Sequence, residues 1–335
     1  MSVTLEKYGD FKGEPLYELT LTNHNGMVVK LLNYGATLEQ VLLPEGEHHT
    51  NVILSLDSPA AYHQERNFLG GTVGRVIGRV PGHLWHRGSE LVSLPANEGD
   101  NAIHGGDDGL DQQVWNLSYR QEASQDQVTF TEVDFAGHNL YPGNVKVTVV
   151  YTLDDDNQLH YDLTATTDAM TLFNATNHVY FALDGADSTV DETTLELASD
   201  YYGPLAANHL PMSGWQPVAG TVFDFREPQK LGAVMPQVQN GAGLDHPFLL
   251  NNDVAATLTG ASGRQVTMTT TAPAVAVYTA NHFDGTGVAH NLHQHNGVTL
   301  EAQVAPPSGQ DWSALTLMPG EPYHLTTTWA FSTPL

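Results

Sequence analysis

Residues 171–185, TLFNATNHVYFALDG, decide how the chain is read. With a period of two, Phe173, Ala175, Val179, Phe181 and Leu183 fall on one face of a strand, and Asn174, Thr176, His178 and Tyr180 on the other. An apolar face backed by a row of hydrogen-bonding side chains, with an imidazole in its middle, is what a polyol-binding strand requires. It is equally what a strand with one wet face presents, so the segment alone leaves both readings open.

Strand signals continue on either side. Upstream, 145–153 and 159–166 alternate across an Asp-Asp-Asp-Asn turn, and 17–22, 27–32 and 36–44 read as a meander. Downstream, 256–271 reads as a hairpin turning at 261–264, followed by strands at 275–283 and 297–304. The stretch 57–62, DSPAAY, has a capping residue ahead of an early proline and predicts one or two helical turns. Between 184 and 220 the pattern is irregular, broken by Pro204, Pro211, Gly214 and Pro217. The whole predicts an all-β protein with few short helices. Neither a repeat nor a linker interrupts it, so residues 1–335 are expected to form a single domain.

Composition narrows the function. Lys plus Arg number 12 against 38 Asp plus Glu, a formal charge of −26 with no basic cluster. Nucleic acid and anionic membrane both need cationic surface, so neither is an expected partner. There is no cysteine, which excludes a disulfide framework, a thiol nucleophile and a thiolate metal site. The first residues, MSVTLEKYGDF, lack an apolar run and no segment approaches membrane-spanning length, which predicts a cytoplasmic protein.

Several side chains stand out as candidates. In 67–82, NFLGGTVGRVIGRVPG, glycines among β-branched residues allow close backbone approach, and Arg75 and Arg79 are two of the few cations. Either could offer a planar fork to vicinal hydroxyls, or simply pair with a surface carboxylate. His104 sits before two glycines in a loop rich in Asn, Gly and Asp, 94–115. Asp245 and His246 come just before an apolar strand in 243–250. In 297–304, GVTLEAQV, Val298, Leu300, Ala302 and Val304 face one way and Thr299, Glu301 and Gln303 the other, which places Glu301 on a rigid element. His290, His293 and His295 form a cluster that could serve a transition metal with Glu301, but the stretch is polar and loop-like, and no metal site is expected.

In order along the chain, NYGATLEQVLLP, GGTVGRVIGRV, LPANEGDNAIHGG, YPGNVKVTVVYTL, NATNHVYFALDG, DFREPQKLG, GLDHPFLL and TLEAQVAP resemble the aldose 1-epimerases, or galactose mutarotases, over nearly the full length. That resemblance implies a β-supersandwich with a free aldose held in an open cleft, and no cofactor. Position by position it implies His178 as catalytic acid and Glu301 as catalytic base, with Arg79, His104 and Asp245 binding substrate. Gly78, Ala182 and Ala276 depart from residues common in the family, which bears on the preferred sugar. From reference pKa values of about 4.3 and 6.5, Glu301 is expected ionised, with the surrounding carboxylates favouring imidazolium at His178. A maltose 1-epimerase within the family, a glycosidase pairing Glu301 with Asp245, and a non-catalytic sugar-binding module are the alternative readings.

Overall fold

Strict alternation builds the largest sheet. In Val145–Asp154, Val145, Val147, Val149, Tyr151 and Leu153 are buried while Lys146 is exposed, and in Gln158–Thr167 the buried face carries Leu159, Tyr161, Leu163 and Ala165. β-Branched and aromatic side chains suit such a half-buried pleat. The turn between the strands fixes their register, setting Tyr151 opposite Tyr161 and Leu153 opposite Leu159.

The computed structural model describes residues 1–251 and 254–334. In it this hairpin lies within a nine-stranded antiparallel sheet, ordered Asn116–Gln121, Gln125–Asp134, Val145–Asp154, Gln158–Thr167, Tyr323–Ser332, Gln265–Thr270, Val254–Thr259, Thr194–Leu197 and Gln229–Lys230. The expected meander is a five-stranded sheet, which Ser2–Phe11 opens as an extra edge strand. A third sheet runs Tyr180–Phe181, Val298–Gln303, Ala274–Tyr278, Asp245–Leu249, Tyr201–Tyr202 and Gln216–Pro217. Leu21 and Leu31, Val149 and Leu163, and Val275 and Leu300, drawn from the three sheets, belong to one apolar cluster. The result is an all-β supersandwich of open sheets. Among the described residues the only α-helical segment is Leu231–Val234, with the turn expected at 57–62 present as a 3-10 turn at Pro59–Ala61. No helix among the described residues is long and apolar enough to cross a membrane.

Two expectations change. The stretch 171–185 is not one strand. Thr171–Leu172, Thr176–Asn177 and Tyr180–Phe181 pair with three different partners, Thr316–Leu317, Thr72–Val73 and Val298–Gln303. Every residue from 171 to 183 is buried, so neither face is wet. Buried polar side chains then need internal partners. Asn174 gives Nδ2–H to the Val304 carbonyl at 2.9 Å and receives the Val304 N–H on Oδ1 at 3.0 Å, which ties this segment to the end of the Glu301 strand. Asn177 donates to the Gly70 carbonyl at 2.6 Å and to the Tyr151 hydroxyl at 2.9 Å. The second change is in 184–220, where Thr194–Leu197 is a strand of the large sheet rather than irregular chain.

Replacing Asn174 with Ala leaves Val304 without either bond. The expected cost is about 1–3 kcal/mol in urea-monitored unfolding, because unpaired buried backbone groups retain their desolvation penalty. A stability equal to wild type would show that the tie does not hold the two segments together.

Candidate active site

The third sheet lays out one wall of a cleft of about 730 Å³. Its register sets Tyr180 opposite Thr299, Thr299 opposite Tyr278 and Tyr278 opposite Asp245, while the next row runs Glu301, Ala276, Pro247. Side chains alternate along each strand, so Glu301 and Gln303, Ala276 and Tyr278, and Asp245 and Pro247 all reach the cleft. Asp245 therefore starts its strand rather than preceding it.

The opposite wall comes from a two-stranded ladder in which Ile103 faces Arg79. The next residue, His104, donates its backbone N–H to the Gly78 carbonyl at 3.1 Å, and the Gly78 N–H donates to His104 Nδ1 at 3.2 Å. His104 has a φ of +49°. Gly105 after it, with a φ of +82°, lies so close to the Gly74 carbonyl that no Cβ fits, which is the physical reason for glycine there. Arg79, His104, His178, Asp245 and Glu301 all line the one cleft.

At its floor, His178 Nε2 lies 3.2 Å from Glu301 Oε1. Both side chains are almost wholly inaccessible, and Phe68, His104 and Tyr180 surround the imidazole at ring-centre distances of 5.9, 5.4 and 5.0 Å. His178 Nδ1 is buried without a hydrogen-bond partner, so Nε2 is the nitrogen that can exchange protons with the cleft. Thr299 Oγ1 donates to Glu301 Oε1 at 3.1 Å.

Burial drives each member of the pair towards its neutral form. It raises Glu301 to about 8, with Asp245 adding to the rise while the Thr299 hydrogen bond and Arg79 oppose it. It lowers His178 to about 4, against the pull of Asp111 and Asp245. The pair thus holds one proton on the carboxyl, the reverse of the expectation of a carboxylate beside an imidazolium. Desolvation outweighs the surrounding negative charge because both groups sit out of water. The same burial lowers His104 well below the ordinary histidine range. With Nδ1 accepting from Gly78, neutral His104 has Nε2–H to offer.

Arg79 is held rather than free. Its Nε and one terminal nitrogen meet Glu98 at 2.6 and 2.8 Å, and the other terminal nitrogen lies 3.4 Å from Asp245 Oδ2. His209 Nδ1 approaches the same Asp245 oxygen at 3.3 Å, and the carboxylate raises the pKa of that imidazole. On the other side, Arg66 grips Asp111 through two bonds of 2.8 and 2.7 Å, donates to the His104 carbonyl at 2.8 Å, and lies 4.5 Å over the Phe68 ring. It orders the loop that presents His104. Glu98, His209 and Arg66 escaped the sequence reading. Cations are so scarce here that Arg66, one residue ahead of the glycine-rich stretch, could have been found by asking what each arginine pairs with.

Other candidates go elsewhere. Arg75 is buried in the core, where it bonds Asp134 at 2.5 Å and Thr171 Oγ1 at 3.1 Å. Asn174 and Thr176 do not line the cleft. His290 lies 3.4 Å from Asp57 and His295 bonds the Ala242 carbonyl at 2.9 Å. Among the described residues no three His, Cys, Asp or Glu side chains converge as metal ligands.

An open sandwich whose cleft holds a dry acid–base pair, ringed by arginine, aspartate and histidine, is the build of an enzyme that moves protons on a hydroxyl-rich substrate. The chain belongs to the aldose 1-epimerase family, whose pattern matches residues 17–329. It is 34% identical over 335 residues to the aldose 1-epimerase of Escherichia coli K12, covering 95% of this chain and 96% of that one. It is 28% identical over 340 residues to the maltose epimerase of Levilactobacillus brevis, covering 99% of each. The crystal structure of a galactose 1-epimerase from Lactobacillus acidophilus superposes with a TM-score of 0.94 at 43% identity, covering 100% of this chain and 99% of that one.

A carboxyl that must take up a proton on folding destabilises the protein by an amount that grows as pH rises from its ordinary value of 4.5 to its folded value near 8 and is fully present above it. Glu301→Gln removes that requirement. At pH 8 its unfolding free energy in urea is expected to exceed that of wild type by on the order of 1 kcal/mol or more, the gap closing as pH falls towards the ordinary carboxyl value. A variant less stable than wild type at pH 8 would contradict the protonated carboxyl.

Proposed function

We propose that this protein interconverts the α and β anomers of free aldoses, with His178 and Glu301 as the acid–base pair. The observation that carries the proposal is their 3.2 Å separation at the floor of a sugar-sized cleft. Opening a pyranose removes a proton from the C1 hydroxyl and adds one to the ring oxygen. Both oxygens are bonded to C1, so two side chains in mutual contact can serve them together.

With the shared proton on His178, Glu301 takes the hydroxyl proton as the C1 carbonyl forms, and the imidazolium gives its proton to the departing ring oxygen. After rotation about C1–C2 the steps reverse on the other carbonyl face, with the roles exchanged. No electrons change hands, so the scheme calls for neither a redox cofactor nor a metal. Moving the proton from carboxyl to imidazole leaves the net charge of the pair unchanged. Arg79 favours the carboxylate and Asp111 the imidazolium, while Asp245 favours the imidazolium but disfavours the carboxylate. Sugar hydroxyls bound between them favour the move. The Nε2–H of His104 and the guanidinium of Arg79 support the oxygens where charge develops, and Asp245 accepts from hydroxyls farther round the ring.

The reading extends to the whole chain as one catalytic domain, to a neutral sugar rather than nucleic acid or membrane as partner, and to a cytoplasmic setting. The excess of 38 acidic over 12 basic residues supports the choice of a neutral ligand.

Polarimetry of freshly dissolved α-sugar tests the assignment. Glu301→Gln and His178→Asn are each expected to lower kcat by about 10²–10⁴-fold. Wild-type rates in either variant would remove that residue from the chemistry.

The pH profile follows from the one-proton requirement. Below about 4 His178 gains a second proton for the pair and no base remains; above about 8 Glu301 loses the last proton and no acid remains. A bell-shaped kcat/KM with limbs near those values is expected, measured against the uncatalysed rate at each pH. A profile level from pH 5 to 10 would overturn the shared proton.

A further inference from the structure

Between Tyr201–Tyr202 and Gln216–Pro217, the last two strands of the third sheet, residues 204–212 form a small hairpin. The Met212 N–H donates to the Pro204 carbonyl at 2.8 Å, Leu205 bridges to Pro211, and the Ala206 N–H donates to the Leu210 carbonyl at 2.9 Å. The His209 N–H closes the turn on the Ala206 carbonyl at 2.9 Å, and His209 takes a left-handed φ of +61°. Leu205, His209 and Pro211 all line the cleft, so the hairpin brings one further histidine to it.

That imidazole meets Asp245. Its Nδ1 is buried, lies 3.3 Å from Asp245 Oδ2 and takes no hydrogen bond from elsewhere among the described residues. Arg79 approaches the same oxygen at 3.4 Å, but its guanidinium is already committed to Glu98 at 2.6 and 2.8 Å. Both contacts fall on Oδ2, which leaves Oδ1 to the cleft. The last torsion of an aspartate is broad, so a carboxylate held at one oxygen keeps an orientation that a loose one loses. The Asp245 contact raises the pKa of His209 above the ordinary histidine value against desolvation and Arg79, and Glu98 adds to the rise. His246, beside Asp245 on the same strand, is pushed down to about 4 by burial and so faces the pair uncharged.

We propose that His209 is a positioning residue for Asp245: as imidazolium it holds Oδ2 from the hairpin, so that Oδ1 points at the hydroxyls of the bound sugar. Arg79 alone is a weak guide, since Glu98 has the stronger claim on it. An aspartate fixed before the sugar arrives lowers the cost of ordering it on binding. The role therefore falls on sugar affinity and not on proton transfer at C1. The inference rests on the epimerase reading above and adds to it a residue that governs binding through another, with a titration of its own.

Asparagine is the informative replacement, because it tolerates a left-handed φ and keeps a donor but cannot take up a proton. Polarimetry with α-glucose, corrected for the uncatalysed rate at each pH, gives kcat and KM for wild type and variant. At about pH 6, where His209 is imidazolium, His209→Asn is expected to raise KM about tenfold, the loss of one charged contact. Its kcat should stay within about twofold of wild type, which also shows that the variant folds. As pH rises through the raised histidine value, wild type loses the charge that grips Asp245, and the KM ratio of variant to wild type is expected to fall towards one. Equal KM at about pH 6, a ratio that stays constant with pH, or a loss confined to kcat would overturn the positioning role and leave the epimerase reading standing. If wild type does not accelerate the reaction at any pH, the epimerase reading falls and this role with it.

Discussion

A carboxyl and an imidazole in contact, both almost wholly buried at the floor of a cleft, form a pair that is tolerable inside a protein only while it carries a single proton. Two protons would bury a cation and none would bury an anion, and each is costly in a dry site. The architecture around the pair serves to keep it dry and in register. The segment 171–183 threads between sheets with no face to solvent, and Asn174 fastens it to the end of the Glu301 strand through both bonds of its amide. The imidazole is thereby placed from one side and the carboxyl from the other, each on elements locked by the same core.

The scarcity of cations gives each arginine near the cleft a defined task. Arg66 braces the loop that carries His104, Arg75 closes a buried set of bonds around Asp134, and Arg79 enters the cleft already gripped by Glu98 and leaning on Asp245. Arg75 and Arg79 differ in fate although they are only four positions apart. The first is swallowed by the core, whereas the second belongs to a short ladder at the cleft's edge. A guanidinium held by carboxylates keeps its fork fixed before any sugar arrives, which reduces the ordering cost of binding.

Much of the fold was legible because period-two alternation has only one structural meaning. The hairpin of Val145–Asp154 with Gln158–Thr167, the meander, and the Glu301 strand followed directly from it. It failed where the chain changes pairing partner every few residues, and burial of both faces was not the cause, since the Glu301 strand is buried throughout. Along 171–185 the alternation of polar and apolar residues looked like a wet and a dry face, whereas the polar side chains there bond inward, to Val304, Gly70 and Tyr151. The strand Thr194–Leu197 was hidden by the prolines and glycines that follow it.

The sequence by itself determined the all-β class and, through ordered motifs, the set of five side chains that meet in one cleft. It also determined the anionic character of the chain, a formal charge of −26. Tertiary structure alone decided which member of the pair burial leaves holding the shared proton. That depends on how deeply His178 and Glu301 are removed from water, and desolvation is a property of everything packed around a group, not of the residues beside it in the chain. For the same reason, Glu98 and His209 could not be read as partners of Arg79 and Asp245. Their contacts join residues 19 and 36 positions apart, brought together only when the sheets close around the cleft.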